Sequence, residues 1–122
     1  MPKRILIADD TRDSVRLIRN LLELSGYEVE DVASGAAALR RVSESDFDLL
    51  LLDFDMRDIK GDRICLMLSA EERYKELPIV IITAHIEKDE KTFRDYGALD
   101  VIYKPFDTEE FMKKIKKYLK EV

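Results

Sequence analysis

Asp9 and Asp10 close the apolar run Ile5 to Ala8, Asp53 closes Leu49 to Leu52, Thr83 closes Ile79 to Ile82, and Lys104 follows Val101, Ile102 and Tyr103. Each polar group stands where a strand would end. In an open parallel sheet, ligands bind beyond the carboxyl ends of the strands, at the crevice where strand order reverses. Three carboxylates gathered there repel: at about 4 Å and an effective dielectric of about 20, each pair costs on the order of 4 kcal/mol. One lysine does not cancel that repulsion. A hard divalent cation does, and an oxygen-only donor set with positions left for water suits Mg2+ or Mn2+. The cation also recruits a phosphoryl group and lets a carboxylate attack phosphorus. Thr83 and Lys104 are the types of group that hold the equatorial phosphoryl oxygens, where charge sits during in-line transfer. The parts needed to form an acyl phosphate on an aspartate are therefore all present.

These residues meet only if the chain folds in one particular way. The runs Ile5 to Ala8, Leu49 to Leu52 and Ile79 to Ile82 are too short for helices and apolar at consecutive positions, the pattern of strands covered on both faces. Tyr27 to Val32 and Leu99 to Tyr103 are more mixed, which suits the edges of a sheet. Helical stripes fill the intervals: Val15, Ile18, Leu21 and Leu22 before Gly26; Ala36 to Val42 after Ser34-Gly35; Ile64, Met67 and Leu68 before Pro78; and Phe111, Ile115, Tyr118 and Leu119, capped by Asp107 or Thr108. A helix expected from Ile86 to Tyr96 would turn Ile86, Phe93 and Tyr96 to the core. Asp89 and Glu90 interrupt its stripe, so it should be loosely held and a candidate moving part.

The alternation predicts an α/β protein: a doubly wound, five-stranded parallel sheet with helices on both faces and right-handed crossovers. Two helix–strand units fit between Asp10 and Asp53, one between Asp53 and Thr83, and one between Thr83 and Lys104. Strand order 2-1-3-4-5 makes the first and third strands neighbours and brings Asp9, Asp10 and Asp53 into one pocket.

Composition bounds the rest. The 122 residues are 46% hydrophobic, which supplies one core and one domain, residues 1–122, and argues against disorder. A net charge of −5 argues against direct nucleic-acid binding. The single cysteine, Cys65, makes neither an internal disulfide nor a cysteine-based zinc site; on its helix it reads as a small core thiol. No apolar run approaches the roughly 20 residues of a membrane span, so the expectation is a cytoplasmic protein with no membrane contact.

Taken together, Asp9-Asp10, the four leucines before Asp53, Ile-Ile before Thr83-Ala84, and Tyr103-Lys104-Pro105-Phe106 make the whole chain resemble the receiver domains of two-component response regulators, of the single-domain chemotaxis type. The resemblance implies a flavodoxin-like (βα)5 three-layer sandwich. It implies that Asp53 accepts a phosphoryl group from the phosphohistidine of a sensor histidine kinase or histidine phosphotransfer protein. It also implies that Asp10, Asp53 and the backbone carbonyl of Asp55 hold Mg2+, with Asp9 acting through water. Thr83 and Lys104 would bind the phosphoryl group, and Lys104-Pro105 would be a cis peptide. A protein of this kind catalyses only its own phosphorylation and dephosphorylation. It signals to a downstream protein target as a monomer or a weak, phosphorylation-dependent dimer. Because the chain stops after its fifth helix, it is expected to be a receiver without an output domain.

The sequence also departs from that family. Arg57 stands where a proline is usual, and Val101 occupies the position of the aromatic switch residue. Strand alternation puts Tyr103 on the side of Val101, so Thr83, Val101 and Tyr103 are the candidate switch residues. Asp55 and His85 flank the pocket at positions that tune phosphate lifetime in such proteins. Arg12, Arg16 and Arg19 flank it on the first helix, where a kinase could dock. Lys113, Lys114, Lys116, Lys117 and Lys120 form a solvated face on the last helix, or a docking surface for an acidic partner. Two other readings share parts of the pattern. Asp53-Phe54-Asp55 looks like the motif of haloacid-dehalogenase-type phosphatases, but in those enzymes it opens the domain and the acid pair comes late. A flavin-binding module shares the strand order, but the acidic loop from Asp9 to Asp13 would repel a flavin phosphate.

Overall fold

Ten regular elements alternate along the chain: β1 (Arg4–Ala8), α1 (Arg12–Leu24), β2 (Glu28–Val32), α2 (Gly35–Glu44), β3 (Leu49–Asp53), α3 (Gly61–Ser69), β4 (Ile79–Thr83), α4 (Glu90–Asp95), β5 (Asp100–Tyr103) and α5 (Thr108–Tyr118). A 3-10 turn at Glu72–Tyr74 separates α3 from β4. These come from a computed structural model that describes residues 2–121; Met1 and Val122, which the single-domain expectation includes, lie outside them.

The sheet is parallel throughout, in the order β2-β1-β3-β4-β5. The central strands β3 and β4 are buried at every residue, whereas β2 has no fully buried residue and β5 buries only Val101 and Ile102, as their mixed polarity requires of edges. Side chains of period two send Leu6, Leu50, Leu52 and Ile81 to one face, against Ala38 of α2, Ile64 and Leu68 of α3, and Phe93 of α4. Ile7, Leu49, Leu51 and Ile82 face the other way, against Ile18 and Leu22 of α1 and Phe111 and Ile115 of α5. The two cores lock the sheet between helical layers, so the carboxyl ends of β1, β3, β4 and β5 lie at one rim.

The starts of α2, α4 and α5 follow side-chain caps. The Ser34 side chain accepts from Ala37 N, Asp107 from Glu110 N and Asp89 from Thr92 N. Of the two residues proposed to cap the last helix, Asp107 does so. Gly26, at φ +92°, follows the end of α1 as expected.

Two expectations are corrected. The fourth helix does not begin at Ile86: Asp89 caps it and α4 runs only from Glu90 to Asp95. Ile86 is 77% exposed in the preceding loop, where Ile86 N donates to Ala84 O and Lys88 N to His85 O. The acids that interrupt the stripe are the helix's own cap and first turn. On α3, Met67 is exposed and Cys65 takes its place in the core with Ile64 and Leu68. Among the described residues no helix is long and apolar enough to cross a membrane.

Candidate functional site

Register brings the acids together. β1 pairs with β3 such that Ala8 lies beside Leu52, so the next residues, Asp9 and Asp53, emerge side by side at the sheet's carboxyl rim. One carboxylate oxygen each from Asp9, Asp10 and Asp53 falls within 4.8 Å of the others. Asp9 and Asp53 are buried, only 4% and 7% exposed, and Asp10 is half-buried. Thr83, at the end of the adjacent β4, is buried completely.

Lys104, just past the end of β5, brings a basic side chain into this cluster. Its Nζ lies 3.5 Å from Asp9 Oδ2 and donates to Ser14 Oγ at 3.4 Å, while its backbone N donates to Thr83 O. The Lys104-Pro105 peptide is cis, in keeping with the resemblance. Asp9 Oδ1 also accepts from Thr11 N at 2.8 Å, which orients it. Asp53 Oδ1 accepts from Asp55 N at 3.4 Å.

The electrostatics match the crowding. Burial, followed by the negative charge of Asp9, pushes the Asp53 carboxyl up to about 6, against the opposing pull of Lys104 and of the Asp55 N–H. The folded chain therefore keeps a proton on Asp53 to higher pH than an ordinary aspartate does, up to about 6. Three carboxylates with one ammonium leave an excess of negative charge on oxygen donors alone, and that donor set fits Mg2+.

Asp55 and His85 meet at the edge of the pocket. His85 Nε2 is 2.8 Å from Asp55 Oδ2, and Nδ1 is 2.7 Å from Glu87 Oε1. Glu87, then Asp55, raise the His85 pKa. The His85 N–H donates to Thr83 Oγ1 at 3.0 Å, and its ring stands edge-on to Phe54. Lys60 Nζ is a further 3.6 Å from Asp55 Oδ1. The Asp55 carboxylate is thus engaged by bases outside the three-carboxylate cluster, an arrangement that leaves it poorly placed for the acid–base role of the phosphatase reading.

Val101 is buried beneath α4, and Tyr103 packs half-buried against the same core, so the two do share a side of β5. The Tyr103 hydroxyl donates to Lys88 O at 2.5 Å. Arg12, Arg16 and Arg19 line a recess beside Asp9 and Asp10, and Arg19 is engaged there by Asp31, Glu23 and the Val29 carbonyl. Arg57 stands almost fully exposed, with its Nε 4.0 Å from Asp10 Oδ2. The lysines of α5 lie exposed, opposite buried Phe111, Ile115 and Tyr118.

Sequence reasoning missed Ser14, Lys88 and Asp58. Ser14 and Lys88 act through one hydroxyl and one carbonyl, for which composition carries no signal. Asp58 accepts from Gly35 N and Ala36 N, partners 23 and 22 positions away.

Residues 5–116 match the family model described as the response regulator receiver domain. The chain is 33% identical over 120 residues to the polar-differentiation response regulator DivK of Brucella ovis, covering 98% of each chain. Among solved structures it is similar to a putative response regulator from Chloroflexus aurantiacus, with TM-score 0.92, 30% identity and coverage of 99% of this chain and 100% of that one. It is also similar to the response regulator TrrA from Thermotoga maritima in complex with Mg(2+)-BeF, with TM-score 0.85, 28% identity and coverage of 95% and 98%.

Proposed function

Since this chain belongs to the response regulator receiver domain family, we propose that it is a phosphorylatable signalling switch that takes a phosphoryl group onto Asp53 with Mg2+. Receiver domains are signalling proteins rather than classical enzymes, and the chemistry proposed here is the chain's own modification. The observation that carries this reading is the convergence of Asp9, Asp10 and Asp53 to within 4.8 Å beside Lys104.

An Asp53 oxygen attacks the phosphorus of a phosphohistidine on a sensor histidine kinase or phosphotransfer protein. A P–O bond forms, the P–N bond breaks, and the electron pair leaves with the imidazole nitrogen. Bound at Asp10, Asp53 and the Asp55 carbonyl, with Asp9 through water, Mg2+ would supply positive charge against the three carboxylates and the phosphoryl oxygens. Lys104 Nζ and Thr83 Oγ1 would hold the transferred oxygens. Thr83 Oγ1 now accepts from the His85 N–H, so turning it toward a phosphoryl group loosens that link to the loop before α4. The short α4, the half-buried Tyr103 and α5 would then present a changed surface to a cytoplasmic protein target. Asp55 and His85, at the pocket's edge, would set how fast water removes the phosphate.

The donor's approach is proposed over α1. A recess of about 430 Å³, lined by Ser14, Leu17, Lys104, Pro105 and Phe106, opens beside Lys104, with Arg12 and Arg16 at the neighbouring rim. The test is incubation with acetyl phosphate and Mg2+, followed by intact-mass measurement. Wild type should gain the mass of one phosphoryl group and Asp53→Ala none. Equal gain by both would overturn the assignment of Asp53, and no gain by wild type would overturn the function.

A further inference from the structure

The loop from Phe54 to Lys60 leaves the candidate phosphoacceptor and is fastened at its far end to a different element. Asp58 Oδ1 accepts from Gly35 N at 2.9 Å and Asp58 Oδ2 from Ala36 N at 2.9 Å. Ser34 already caps the same helix through Ala37 N, so Asp58 is a second cap supplied from outside. Free amides and the positive end of the helix dipole make that terminus a strong seat for a carboxylate, and those N–H groups hold the Asp58 carboxyl below its usual range.

Packing closes the same joint. A Cβ on Gly35 would lie 2.7 Å from Ile64 Cδ1 and 3.0 Å from Ile59 Cβ, so only glycine lets the loop sit this close to α2. At the loop's end, Gly61 N donates to Phe54 O at 2.9 Å, and a Cβ on Gly61 would meet Phe54 Cα at 2.9 Å. Phe54 and Met56 are buried in the core. The residues between and beyond them face the pocket: Asp55 N donates to Asp53 Oδ1, and Arg57 Nε stands 4.0 Å from Asp10 Oδ2. The loop therefore hydrogen-bonds one of the three clustered carboxylates, Asp53, and Asp58 fixes where it lies.

We propose that Asp58 is a positioning residue for the cation site, setting through the Asp55 backbone the orientation of Asp53. This rests on the reading of that cluster as a Mg2+ site and adds to it a residue that does not itself belong to the cluster. Groups that orient metal ligands govern affinity as the ligands themselves do. A mere helix cap would govern only stability.

The experiment is a Mg2+ titration of the intact chain followed by backbone amide shifts, well below the melting temperature, beside a thermal melt. Asp58→Ala should weaken Mg2+ binding about tenfold and move the Asp53 and Asp55 amides. Asp58→Asn, which keeps one acceptor oxygen, should fall between it and wild type, and carries the test should Asp58→Ala not fold. Asp13→Ala, which removes an acid from the first turn of α1, controls for loss of charge alone and should leave the affinity near wild type. A lowered melting temperature with unchanged Mg2+ affinity would overturn the proposal, and so would an equal loss in Asp13→Ala. A wild type that takes up no Mg2+ would overturn the parent reading and this one together, an outcome distinct from either.

Discussion

His85 Nε2 lies 2.8 Å from Asp55 Oδ2 and so ties the loop after β3 to the loop after β4 at the edge of the carboxylate pocket. The same imidazole reaches Glu87 through Nδ1, and its backbone N–H reaches Thr83 Oγ1. A single residue thus contacts both the groups that would line the water's path and the hydroxyl that would hold the phosphate. Replacing His85 by alanine opens that edge to solvent. The expected outcome is aspartyl-phosphate loss up to about tenfold faster, a change of about 1.4 kcal/mol in barrier. Decay of label after phosphorylation with radiolabelled acetyl phosphate measures it, and an unchanged rate would remove His85 from any part in phosphate lifetime.

The pocket was legible from the primary structure because its members are strand-terminal. An acid, a hydroxyl and a lysine that each stop an apolar run are fixed in space once the strand order is fixed; alternation implies a parallel sheet with right-handed crossovers, and the order β2-β1-β3-β4-β5 sets the ends of β1 and β3 side by side. The loops were not legible. Ile86 looked like a core residue because apolar spacing ignores capping, and Asp89 moved the helix start past it. Asp58 gave no signal because its partners at Gly35 and Ala36 are backbone amides, present at every residue but proline.

The Asp53 carboxyl supplies a pH signature. Folding raises its pKa from an ordinary value near 3.8 to about 6 in the metal-free protein. The folded state therefore binds a proton more tightly than the unfolded one. The stabilisation is complete at pH below the ordinary value and is lost as pH rises through about 6. Melts in EDTA should show Tm falling across that window. Asp53→Asn should flatten the fall and, near neutral pH, stabilise the metal-free protein by on the order of 1–2 kcal/mol. Millimolar Mg2+ should restore wild-type stability there and do little for the variant. A metal-free wild type whose melting is flat across the window would contradict this.

Tyr103 offers a test of the loop before α4 that leaves the pocket intact. Its hydroxyl donates to Lys88 O, while its ring packs on the core beside Val101. Tyr103→Phe keeps the ring and removes one hydrogen bond, worth about 0.5–1.5 kcal/mol. Amides from His85 to Lys88 should exchange faster with solvent by a corresponding factor, while those of β3 stay protected. With Mg2+ and acetyl phosphate present, wild type should move toward the variant's exchange pattern if phosphorylation releases the same loop. Identical exchange in variant and wild type would show that the hydroxyl holds nothing in place.

Lys104 separates cation binding from phosphoryl binding, because its charge acts on the two in opposite directions. Its ammonium, 3.5 Å from Asp9 Oδ2, is the partly buried positive charge set against the three carboxylates, with Arg57 standing exposed 4.0 Å from Asp10, and an arriving divalent cation must share those carboxylates with it. Lys104→Met keeps most of the stem and removes the charge. Mg2+ should then bind a few-fold tighter, since a competing cation is gone and the site is more negative. Phosphorylation should suffer, because the transferred oxygens lose their only side-chain ammonium; loss of one such preorganised donor costs about a hundredfold or more in rate. Measured by Mg2+ titration and by single-turnover labelling, the two constants should move apart in this one variant. If both weaken together, Lys104 is holding the pocket's shape through Ser14 and Asp9 rather than acting on the phosphoryl group; if neither moves, it lies outside the chemistry.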